Sequence, residues 1–179
     1  MPKLTHDHIS GQDRRHEAYI QERPSYALLT RRLFVDSRDA SVRRGPFDFT
    51  IRLDGDVGRN RYRNVTSVEL KACCIPKVAS EDYVILDIEQ LKDSNIDSSV
   101  PHLNDGFAVS FFDNSSLAPG DVKLSDKNFS QRVLFDPPKT LDRLDIKLRK
   151  HDGSLITDAD TGGTSNVTSF LFDITMLGI

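Results

Sequence analysis

Leu144-Asp145-Ile146-Lys147-Leu148-Arg149 sets an apolar side chain at every second position and a charged one between. Side chains of an extended strand point alternately to its two faces, so this stretch reads as a strand with one face buried and the other solvated. The same alternation recurs in both directions along the chain. Phe47, Phe49, Ile51 and Leu53 interleave with Asp48, Thr50 and Arg52, and Val68, Leu70 and Ala72 with Glu69 and Lys71. Val84, Leu86 and Ile88 alternate with Ile85, Asp87 and Glu89, and Phe170, Phe172, Ile174 and Met176 with Leu171, Asp173 and Thr175.

Eight strands are predicted: Arg32 to Asp36, Pro46 to Leu53, Asn64 to Ile75, Tyr83 to Gln90, Gly106 to Phe112, Phe129 to Phe135, Leu141 to Arg149 and Val167 to Leu177. The breaks between them carry turn chemistry, as in Asp54-Gly55-Asp56, Asn104-Asp105-Gly106, Pro119-Gly120-Asp121 and Asp152-Gly153. Pro137-Pro138 is expected to end one strand sharply, because proline fixes φ and donates no ladder hydrogen bond. Long connections at Lys92 to Asp105, Asn114 to Asn128 and Lys150 to Asn166 suit Greek-key crossovers better than a simple meander. No helical pattern of useful length interrupts the series, which argues against βαβ architecture. The fold expected is all-β, a single eight-stranded antiparallel jelly-roll sandwich. An immunoglobulin-like sandwich is the alternative, although the spaced Cys and Trp signature of antibody domains is missing.

With 179 residues the chain is long enough for one well-buried core. Residues 1–30 hold three of the five histidines, many charges and few large apolar groups, and are expected to form an extended or partly helical N-terminal arm. Residues 31–179 are the jelly-roll domain. Ordering of the arm on a neighbouring subunit and a merely floppy terminus are both open at this point. The formal net charge of −3 is unevenly spread: residues 1–45 carry nine Lys or Arg against six Asp or Glu, the remainder fifteen against twenty-one. An acidic sheet body without a basic, aromatic-studded face does not suit nucleic acid, so no direct nucleic-acid contact is expected. The absence of a signal-peptide core or of about eighteen consecutive apolar residues leads to the expectation of a cytosol-like folding compartment and no membrane insertion. Adjacent Cys73 and Cys74 on a strand point to opposite faces and suit neither a disulfide nor a zinc site.

The chain carries no recognisable catalytic or metal-binding motif. There is no G-x-S-x-G elbow, and His102 and His151 fall in loops beside Pro101 and Asp152. Asp158-Ala159-Asp160-Thr161-Gly162-Gly163 begins like a calcium loop, but Gly162 takes the fifth position and Ser169 the twelfth, where a bidentate glutamate is needed. An acidic loop is the expectation, with no cofactor, no metal and no catalytic residue. Asn64, Asn114, Asn128 and Asn166 form glycosylation sequons, read here as loop and strand-end polarity.

Two blocks of sequence carry a resemblance. Ser67-Val68-Glu69-Leu70-Lys71-Ala72-Cys73-Cys74-Ile75-Pro76-Lys77 is followed by Tyr83-Val84-Ile85-Leu86-Asp87-Ile88. Val133-Leu134-Phe135-Asp136-Pro137-Pro138 is followed by Leu141-Asp142-Arg143-Leu144-Asp145-Ile146-Lys147-Leu148, and the chain closes with Ser169-Phe170-Leu171-Phe172-Asp173-Ile174. In order and spacing these resemble the single jelly-roll penton (vertex) capsid proteins of nucleocytoplasmic large DNA viruses, algal-virus type. The resemblance implies a homopentamer closing each fivefold vertex of a virion capsid assembled in the host cytoplasm. Its implied neighbours are trimers of a double jelly-roll major capsid protein and other minor capsid proteins. Arg14, Arg15 and Arg23 in the arm are the candidate contacts with those neighbours. A cement protein beneath the major capsomers and a carbohydrate-binding jelly roll are the competing readings. The second is poorly served by a chain with no Trp and four Tyr.

Overall fold

The computed structural model describes residues 27–54, 62–92, 99, 101–104, 106–112, 122–124, 131–162 and 167–178. Ten strands are found among them: β1 (Ala27–Asp36), β2 (Val42–Gly45), β3 (Asp48–Arg52), β4 (Val65–Pro76), β5 (Tyr83–Ile88), β6 (Ala108–Phe111), β7 (Val122–Leu124), β8 (Gln131–Lys139), β9 (Arg143–Arg149) and β10 (Ser169–Gly178). Each of the eight predicted strands has its counterpart, and the short β2 and β7 are additional.

The pairing is nested. Setting β2 and β7 aside, the first strand pairs with the last and the series closes inward: β1 with β10, β3 with β9, β4 with β8, β5 with β6, all antiparallel. Pairing of β10 with β4 and of β9 with β5 then gathers these ribbons into two sheets. One sheet runs β1-β10-β4, with β7 and β8 both beyond β4; the other runs β2-β3-β9-β5-β6. A double-stranded ribbon wrapped into two facing sheets is the jelly roll, and the all-β expectation holds.

The alternation read from the sequence supplies the core between the sheets. Phe49, Leu144, Ile146, Phe172 and Ile174 are all 0% exposed. Phe172 sits at the centre of an aromatic cluster, 6.1 Å from Phe170 and 6.4 Å from Phe107 between ring centroids. Burying a side chain of this size is worth about 1.5–3 kcal/mol relative to leaving it in water.

Two details depart from the simple pattern. Ala72 was expected to share the inward face of Val68 and Leu70, but a bulge intervenes: Phe172 pairs with Leu70 and Leu171 with Ala72, leaving Lys71 as the extra residue. Because side-chain direction has a period of two, the extra residue exchanges the faces beyond it. Cys73 and Ile75 therefore turn inward, at 3% and 1% exposure, while Ala72 and Cys74 turn outward and are half-buried. Neither cysteine is in a disulfide. The second departure is at Pro137-Pro138, which does not end its strand. Leu134 pairs with Ser67 and Lys139 with Val65, so residues 135–138, with a cis Asp136–Pro137 bond, bulge out opposite Thr66. β8 pairs only with β4, and an outermost strand with a bulge tolerates the missing proline N–H groups.

Candidate assembly surfaces

Across β1, β10, β4 and β8 the outward side chains line up in cross-strand rows. Thr30, Thr175, Ser67 and Leu134 form one, with the Thr30 and Thr175 hydroxyls 3.1 Å apart. The next row is charged: Arg32, Asp173, Glu69 and Arg132. There Arg32 Nε donates to Asp173 at 2.9 Å and Lys71 Nζ to Glu69 at 2.8 Å. The third row is apolar, Phe34, Leu171 and Ala72, and with Cys74 it borders a shallow crevice of about 190 Å³. Solvated ion pairs such as Arg32–Asp173 add little stability; the apolar row is what a partner would desolvate.

The outer face of the other sheet carries ion pairs made within the chain. Asp87, 5% exposed, accepts from Arg149 Nε at 2.9 Å, and Lys92 Nζ stands 3.8 Å away. Asp145 accepts from Thr50 at 2.6 Å, Gln90 at 2.8 Å and Arg143 at 2.9 Å. Burial pushes the Asp145 carboxyl up, but these three donors outweigh it and hold the group below the ordinary carboxylate value. A cleft of about 140 Å³ among Arg44, Asp87, Glu89, Asp145 and Lys147 is lined by charged groups alone.

The lateral edges differ from both faces. Among the described residues the large exposed apolar side chains are Leu28 (68%), Leu29 and Phe34 (63%) on β1, Val42 on β2, Phe111 (62%) on β6, Leu134 (67%) on β8, and Leu155 in the loop after β9. All but Leu155 lie on outermost strands; β3, β4, β5, β9 and β10 carry none. Leu155 shares a crevice with Arg44 and Gly45 of β2. The edge formed by β1 and β2 is also basic, with five arginines against two aspartates in residues 27–45. Single exposed apolar residues are ordinary on a protein surface; here, among the described residues, they are confined to outermost strands and one loop.

No family model matches the chain. The penton capsid protein P1 of Paramecium bursaria Chlorella virus 1 is 31% identical to it over 134 residues, which cover 73% of this chain and 72% of that protein. The chain belongs to the penton capsid protein family. The resemblance carried by the two sequence blocks is thereby borne out, and the jelly roll is the scaffold on which this penton-family chain presents its edges.

Arg14, Arg15 and Arg23, the candidate contacts of the arm, lie outside the described residues, as do His6, His8 and His16. β1 begins at Ala27, so residues 27–30, expected to belong to the arm, are strand and pair with residues 175–178 of β10. Asn114, Asn128 and Asn166 also lie outside the described residues, whereas Asn64 takes a left-handed turn (φ 53°) leading into β4, a conformation asparagine tolerates. His102 lies in a one-turn helix, Pro101–Asn104. His151 is exposed, with Nδ1 3.0 Å from the buried Glu81 carboxylate, which also accepts from the His151 backbone N–H. This contact ties the turn after β9 to the loop before β5. Next to it Lys150 Nζ donates to Asp160 at 2.8 Å, and Asp160 in turn accepts from the backbone and hydroxyl of Thr157, both at 2.7 Å. The acidic loop is thus organised by a capping box and a lysine around a single short 3-10 turn, Asp158–Thr161. Among the described residues no three His, Cys, Asp or Glu side chains gather in a metal-binding group.

The exposed edge residues were missed as a set, yet they leave a trace in the sequence. Phe34 lies between Leu33 and Val35, Leu134 between Val133 and Phe135, and Phe111 beside Phe112. Each is an apolar residue in the solvent-facing phase of an alternating strand.

Proposed function

We propose that this chain is a structural protein of a viral capsid and, more specifically, the subunit of a homopentameric capsomer that closes the fivefold vertices of an icosahedral shell. Membership of the penton capsid protein family is the observation that carries this reading. The architecture is consistent with it. A rigid two-sheet wedge has two different lateral edges, and a closed ring of identical subunits requires two different patches that meet around a rotation. Such a capsomer is bordered by trimers of a double jelly-roll major capsid protein, joined by other minor capsid proteins, in a shell assembled in the host cytoplasm. The chemistry asked of the chain is adhesive: apolar area to desolvate and charge to set register.

The test is the mass of the purified protein by light scattering across concentration and salt. The expected species has five times the mass of one chain and persists on dilution into the micromolar range. A single chain at every concentration, or a species of two or three chains, overturns the reading.

A further inference from the structure

We draw no further inference here: the strongest candidate, the apolar row of Phe34, Leu171 and Ala72 that borders a crevice of about 190 Å³ on the outer face of the β1-β10-β4 sheet, carries nothing because nothing in the structure shows what covers it.

Discussion

Asp160 shows how one carboxylate organises a loop that otherwise reads as a metal site. Lys150 beside it, together with the Thr157 hydroxyl and backbone N–H, holds its carboxyl down to about 2 from the ordinary 3.8, against the opposing effect of burial. The folded value is the lower one, so the stability Asp160 contributes is fully present above 3.8 and is lost as the pH falls towards about 2. Asp160→Asn removes the charge at every pH. Its urea midpoint should be lower than wild type near neutrality, and the gap should narrow as the pH falls from about 4 to about 2; a gap independent of pH would show that the carboxylate charge is immaterial. Phe172 represents the apolar counterpart. It is fully buried among Phe107 and Phe170, and Phe172→Ala should cost about 3–5 kcal/mol of unfolding free energy, read from urea denaturation.

At the scale of the element, what was legible depended on whether a strand keeps its phase. β9 keeps it: Leu144, Ile146 and Leu148 face inward and Asp145 and Lys147 outward, as their spacing predicts. β4 does not, because its bulge at Lys71 is set by the partner strand β10, and no local pattern marks it. Ser67-Val68-Glu69-Leu70-Lys71-Ala72 reads as a clean alternation up to the point where the ladder breaks. The Pro137-Pro138 bulge escaped for a similar reason, since only the position of β8 at the outside of its sheet lets the ladder resume at Lys139. The same holds for the candidate surface: Phe34, Phe111 and Leu134 stand in the solvent phase of their strands. Nothing local separates them from Ile85, which is in that phase of β5 and 0% exposed. Position in the sheet order makes the difference. The β4 bulge can be tested through its cysteines. In the native protein Cys74 should react with a thiol reagent well ahead of the buried Cys73. Deleting Lys71 removes the extra residue and leaves the partners on either side of it unchanged, so Cys73 and Ile75 should still face inward and Cys74 should still react first. Reaction of Cys73 ahead of Cys74 in that variant would mean that the ladder realigns and carries the end of β4 out of phase.

For the whole molecule, nested pairing means that the two ends of the described chain lie side by side, with Ala27 opposite Gly178. The first strand is consequently the last to be covered: along β1 only Val35 and Asp36 are buried, and Leu33 is half-buried. Removing residues 1–26 takes away no described strand, hydrogen bond or core residue, so the shortened chain should unfold at the wild-type urea midpoint. Its oligomeric mass then reports separately on Arg14, Arg15 and Arg23, and a loss of the fivefold species with the fold intact would assign the arm to assembly. Removing residues 1–36 is a different cut. It takes away Val35 from the core and one of the two pairing partners of β10, leaving the ten-residue strand that carries Phe170, Phe172 and Ile174 as an uncovered edge. A long, flat, apolar edge of this kind recruits other strands, so the longer truncation should aggregate during refolding or elute in the void volume on gel filtration. If it were instead a stable monomer, β1 would be dispensable to the sandwich, and its exposed apolar face would have to be explained by contact with other copies alone.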